Sequence, residues 1–278
     1  MLEKDLILEL FLKYIKKTKK SEFYSKDNFT PFNLIRYYFK EMEELPFEKI
    51  ANNYRRKYLI NENFIENVHT KEERAGLREV YDYVLSNGWK RFRNIYVILK
   101  LHSLLYSKVA EECRSFGGSF RQANAMIADS DVETTRYEMI GKEIQALYGV
   151  YDNLLKVGEA ISINKDEEQL MKYLEECIRL KCRLVEIHPF ADGNGRTCRA
   201  FLNILFRNVG LPPVYIEKGE KDEYIKAMDD AIRLKDHSTI IQFYYYKICD
   251  SIYELDIKER LKQDELNLAL KKWIWHLI

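Results

Sequence analysis

The stretch His188-Pro-Phe-Ala-Asp-Gly-Asn-Gly-Arg-Thr-Cys-Arg199 constrains the fold of this chain more than any other. Before it, Leu170, Met171, Leu174, Cys177, Ile178, Leu184 and Val185 recur at helical spacing, and Pro189 ends that pattern. After it, Phe201, Leu202, Leu205, Phe206 and Val209 form a second helical stripe that closes on Gly210, with Pro212 and Pro213 beyond. The spacing therefore predicts two helices joined by a tight turn, with His188 at the end of the first and Gly193-Asn194-Gly195 opening the second. Free N–H groups and the positive end of the macrodipole make such a helix start an anion site where glycines let the backbone come close.

The side chains around this turn make a chemical set. Arg196 and Arg199 are three residues apart on the first turn of the second helix, so both are expected to face the nest and take phosphate oxygens. Asp192 is placed to hold a divalent ion, because magnesium shared with substrate phosphates needs only one or two carboxylates. His188 supplies a general base near neutral pH. Together they describe phosphoryl or nucleotidyl transfer to a hydroxyl.

These residues resemble the Fic signature, His-Pro-Phe-x-Asp-Gly-Asn-Gly-Arg-x-x-Arg, at every specified position. The resemblance implies an all-α fold, a Fic-type helical bundle with a short β-hairpin flap beside the active site. It also implies transfer of AMP from ATP to a Tyr, Thr or Ser hydroxyl of a target protein. In that reading His188 deprotonates the hydroxyl and Asp192 holds Mg²⁺. Gly193, Asn194 and Gly195 cradle the α- and β-phosphates with Arg196 beside them, Arg199 meets the γ-phosphate, and Phe190 packs the loop.

Less specific likenesses extend over residues 58 to 246. Leu99-Lys100-Leu101-His102 resembles an early core helix of the family, and Gly118-Ser119-Phe120-Arg121 the Gly-x-x-Arg before its flap. The flap is expected near residues 121–136, taking a target segment by strand addition. The part from Asp129 to Arg136 carries no proline. Tyr224 matches a Tyr often found near the adenine, while Ile232 stands about where an Asn commonly follows. Asn203 is either a buried tie within the site or a polar neighbour.

Many relatives restrain themselves with a helix of pattern Ser/Thr-x-x-x-Glu-Gly/Asn, whose Glu pairs with the second signature Arg. Residues 60–68 resemble it, with Glu66-Asn67 at the end and Glu62 in the Ser/Thr place. Glu66 is thus expected to pair with Arg199. Thr134 and Glu138 make a rival match just after the flap.

Composition limits partners more than it identifies them. Lys and Arg number 45 against 44 acids, which gives no case for nucleic acid or an anionic membrane. The Lys16–Lys20 run reads as a solvated helix end. Five cysteines, Cys113, Cys177, Cys182, Cys198 and Cys249, form no CxxC pair, and their odd number points away from disulfides and toward a reducing, cytoplasmic setting. Glu3, Asp5 and Glu9 do not suit a signal peptide.

The expected organisation is a helical lobe at 1–57, the Fic core at 58–246 and a C-terminal helix at 247–278, with Trp273 and Trp275 packing on the core. Partners are a protein substrate on the flap, with self-modification and a homo-oligomer open. Removal of AMP, transfer of another phosphate-containing group, and a nucleotide-binding regulator without turnover stay open as alternatives.

Overall fold

A computed structural model of the chain describes residues 30–41, 52–68, 70–86, 88–110, 116–126 and 132–257. The lysine run, Cys113 and the two C-terminal tryptophans lie outside them. The fold is helical: α1 (Pro31–Glu41), α2 (Asn52–Ile65), α3 (Lys71–Leu85), α4 (Val97–Leu105), α5 (Ile140–Ala146), α6 (Tyr148–Asn164), α7 (Glu167–Ile187), α8 (Asn194–Asn208), α9 (Lys221–Asp229) and α10 (Ser238–Ile252). Short π-helical turns follow α9 at Asp230–Leu234 and α10 at Tyr253–Ile257.

Helix α8 is the centre. It packs on α7, α4, α3 and α6, and all its residues but Gly195 are buried. A helix buried all round can be apolar all round, yet this one carries Arg196, Arg199, Asn203, Arg207 and Asn208. Polar groups there need partners. Asn203 exchanges two hydrogen bonds with the backbone of Val214 (2.9 and 2.8 Å), and Asn208 donates to the Leu155 carbonyl (2.9 Å). Asn203 is thus a buried tie, but it fastens the extended segment after α8 and does not line the cleft around His188.

The two helices read from the apolar stripes are α7 and α8. α7 starts on Asp166, whose carboxylate accepts from the Gln169 amide at 3.0 Å, and Glu167 and Glu168 suit the positive end of its dipole. α3 is capped by Thr70, which also donates to Glu73 at 2.6 Å.

The expected boundary between residues 57 and 58 falls within α2, and that between 246 and 247 within α10. α1 packs on α7 and α10, and its Leu34, Ile35 and Phe39 join the same core. The β-hairpin flap is not formed as a ladder among the described residues. One antiparallel bridge joins Met126 to Glu133. Arg121 supplies other ties: its guanidinium donates to the carbonyls of Ala123 (2.6 Å) and Thr135 and to Thr134 Oγ1 (3.2 Å), and Thr134 in turn donates to the Ala125 carbonyl. Side-chain bonds thus link Ala123 and Ala125 with Thr134 and Thr135. No described helix is long and apolar enough to cross a membrane.

Candidate active site

The site forms where α7 stops and α8 starts. His188 caps α7 in the left-handed region, at φ 51° and ψ 61°, and its amide donates to the Leu184 carbonyl at 3.1 Å. Its carbonyl is taken by Arg121 Nε at 2.7 Å, while the Arg121 amide donates to the Pro189 carbonyl at 3.0 Å. Burial, helped by the Arg121 charge, lowers the His188 pKa, so the imidazole is neutral at pH 7 and able to accept a proton.

The loop between the helices is pinned from inside. Asn194 accepts from the Phe190 amide (2.9 Å) and donates to the Phe190 carbonyl (2.8 Å). The Phe190 ring stacks on His102, with centroids 3.9 Å apart and planes 6° from parallel. His102 Nδ1 accepts from the Gly118 amide at 2.9 Å, which leaves Nε2–H to donate to the Asp192 carbonyl at 3.0 Å. Burial lowers its pKa to about 4, so this neutral tautomer persists at pH 7. Gly193 begins α8 at φ 75°, a conformation that favours glycine.

Asp192 presents its carboxylate from this loop. The Tyr106 hydroxyl donates to Oδ2 at 2.6 Å, and Arg196 Nη2 lies 3.6 Å from the same oxygen. Burial pushes its pKa up, but the bonds from Tyr106 and the Gly193 amide, with Arg196, prevail and lower it. No cluster of three or more His, Cys, Asp or Glu suited to a metal occurs among the described residues. A lone ionised Asp192 whose side chain is 71% exposed fits an ion that takes its other ligands from phosphates and water.

A cleft of about 730 Å³ gathers His188, Asp192, Gly193, Asn194, Gly195, Arg199 and Tyr224, together with Glu66 just beyond the end of α2. Met126 and Val132 flank it, and Met228, Asp229, Ile232 and Arg233 line it from α9 and the π-turn. Arg196 is not in this lining. It lies beneath the turn, its Nη2 3.5 Å from both Tyr106 Oη and Glu73 Oε1. Three residues turn the helix by about 300°, so the two side chains diverge by about 60°, Arg196 toward Glu73 of α3 and Arg199 into the cleft. Tyr224 Oη accepts from the buried Lys181 Nζ at 2.6 Å, and the Arg199 guanidinium lies 5.9 Å from the Tyr224 ring centre.

Arg199 is held by two acids. Its Nη1 donates to Glu66 Oε1 at 2.8 Å, and its Nε to Glu62 Oε2 at 2.7 Å. Burial opposes the Arg199 charge, but both carboxylates outweigh it and hold the guanidinium protonated. A Cβ on Gly195 would fall 2.1 Å from Glu66 Oε1, so the acid rests against the bare backbone of the nest. Glu138, the rival, lies 3.7 Å from exposed Arg136 in the turn Tyr137–Met139.

The Fic/DOC family model matches residues 93–206. This chain carries a Fic/DOC domain. Two relatives named protein adenylyltransferase Fic share short stretches with it. That of Culex quinquefasciatus is 40% identical over 62 residues, 22% of this chain and 12% of the relative. That of Aedes aegypti is 52% identical over 42 residues, 15% of this chain and 8% of the relative. The matched stretch is thus a small part of either relative. Among solved structures, Fic-1 from C. elegans superposes with TM-score 0.61 at 16% identity, covering 94% of this chain and 74% of that one. A Fic domain containing signaling protein from Bacteroides thetaiotaomicron gives 0.63 at 14%, covering 80% and 94%. These likenesses establish the Fic fold beyond the matched domain.

His102, Tyr106, Lys181 and Glu62 shape the candidate site without belonging to the signature. Burial gives a sequence signal for two of them. Lys181 and Glu62 are charged residues on otherwise apolar helix stripes, which require an internal partner.

Proposed function

We propose that this protein is a protein adenylyltransferase, moving AMP from ATP to a Tyr, Thr or Ser hydroxyl and restrained by Glu66. The observation that carries the proposal is the shared cleft of His188, Asp192, the glycine nest and Arg199, with the Glu66 carboxylate resting in the nest. His188 takes the proton from the target hydroxyl, whose oxygen bonds to the α-phosphorus as the bond to the β-phosphate bridging oxygen breaks and pyrophosphate leaves. The N–H groups at the start of α8 receive the phosphates. Asp192 would hold Mg²⁺ with those phosphates, and the ion would offset charge growing on the leaving group. The target is proposed to lie along the segment around Met126 and Val132, which borders the cleft.

Glu66 competes with the terminal phosphate for Arg199. Removing its carboxylate is therefore expected to activate the protein. The test is label transfer from α-labelled ATP with Mg²⁺, to the protein itself and to a cell lysate. Glu66→Gly is expected to raise labelling, and adding His188→Ala to cut it by about 10² to 10⁴-fold, the usual range for a lost general base. High parent activity unchanged by Glu66→Gly would remove the restraint. Nucleotide binding without labelling in any form would favour AMP removal or another donor.

A further inference from the structure

The buried face of α2 carries a second acid toward Arg199. Tyr54, Tyr58 and Ile65 line that face, and Glu62 lies among them with a fully buried side chain. Glu62 and Glu66 are four residues apart and reach the same guanidinium from successive turns. Their situations differ. Glu66 follows the last helical residue, lines the cleft and keeps its side chain 26% exposed, and Asn67 beyond it turns the chain at φ 54°. Glu62 sits inside the helix, outside the cleft lining, so it leaves Arg199 only if the core face of α2 leaves with it.

The donors of Arg199 divide accordingly. Nε goes to Glu62 and Nη1 to Glu66, while Nη2 is buried with no hydrogen-bond partner among the described residues. Withdrawal of Glu66 alone frees Nη1 beside the unassigned Nη2, a pair matched to two oxygens of one phosphate. Withdrawal of Glu62 would instead release the grip that fixes the guanidinium plane.

We propose that Glu62 is a positioning residue that anchors Arg199 through Nε, leaving its two terminal nitrogens for the last phosphate of ATP, while Glu66 is the exchangeable acid. This rests on the nucleotide reading above, in which Arg199 meets the γ-phosphate. Glu62 stands where the inhibitory pattern has Ser or Thr, so the anchor is not part of that pattern.

The test is calorimetric binding of MgATP and MgADP to the Glu66→Gly protein, alone and with Glu62→Gln or Glu62→Ala, each checked by thermal melt. ADP lacks the phosphate that Arg199 meets, so the ratio of the two affinities isolates the anchor from general damage. Glu62→Ala is expected to weaken ATP about tenfold, as for one lost charge-assisted hydrogen bond, and to leave ADP within about twofold. Glu62→Gln keeps an acceptor for Nε and should preserve the ratio. If Glu62→Ala does not fold, Glu62→Leu, which keeps the volume without the acceptor, is read in its place.

An ATP to ADP ratio unmoved by Glu62→Ala or Glu62→Leu overturns the anchor and leaves the nucleotide reading standing. A ratio lost in Glu62→Gln also overturns it. So does activation by Glu62→Ala alone, with Glu66 intact, to the level of Glu66→Gly, because Glu62 would then be an inhibitor. A Glu66→Gly protein that binds neither nucleotide overturns both readings together.

Discussion

His188 is positioned by its backbone before its ring acts. Its left-handed turn ends α7, and Arg121 holds its carbonyl, so the imidazole leaves the helix at a fixed point above the nest. The same neighbourhood lowers its pKa below 6.5, through burial first and the Arg121 charge second. Since a general base works only when neutral, transfer should rise with pH and reach its plateau with a midpoint below 6.5. A pH–rate profile of the Glu66→Gly protein checks this, and a midpoint above 6.5 would mean that the essential proton is not on a histidine so placed. The signature was legible in the sequence because each of its residues has its own chemical requirement at fixed spacing. Glu62 was not, because the inhibitory pattern asks for Ser or Thr there. Its place on the stripe with Tyr54, Tyr58 and Ile65 was the available signal, since a carboxylate on a buried face requires a cation.

At the scale of elements, α7 and α8 were legible because a proline, a glycine pair and two apolar stripes mark their ends. The flap was not, because apolar residues that tolerate a strand do not by themselves specify a ladder. Among the described residues of this segment, one long side chain supplies most of the ties. Arg121 reaches the carbonyls of Ala123, Thr135 and His188 and the hydroxyl of Thr134, so it ties both sides of the segment to the end of α7. Arg121→Ala removes these ties together and leaves partly buried carbonyls without that donor. Limited proteolysis should then cut between residues 121 and 136 about tenfold faster, in keeping with local opening made easier by one or two charge-assisted bonds. Arg121→Lys should recover little of the protection, because an ammonium cannot reproduce the planar fork. Equal cutting of all three proteins would show that the segment is ordered by something other than Arg121.

On the scale of the whole molecule, the proposed restraint sets Glu66, at the end of α2, against the nucleotide for the Arg199 guanidinium of α8. α8 is the shared centre, packed on α3, α4, α6 and α7, while Glu66 reaches it from the end of α2. If Glu66 and the terminal phosphate exclude each other, linkage requires that ATP loosen the Glu66 contact by the same factor by which that contact weakens ATP. Amide exchange should therefore respond in opposite directions when MgATP saturates the parent protein. The turn at Glu66 and Asn67 should exchange faster, and the start of α8 from Gly193 to Arg196 slower, because phosphates take its free N–H groups. The Glu62 anchor adds a boundary to this response. Residues 54–62, held to the core by Tyr54, Tyr58 and Glu62, should keep their protection, so the opening begins after Glu62. Exchange that rises along all of α2 would mean that the helix leaves as a body and that Glu62 departs with Glu66. Exchange that falls in both α2 and α8 would mean that nucleotide and Glu66 occupy the site together, and the restraint would have to act on geometry instead of on competition.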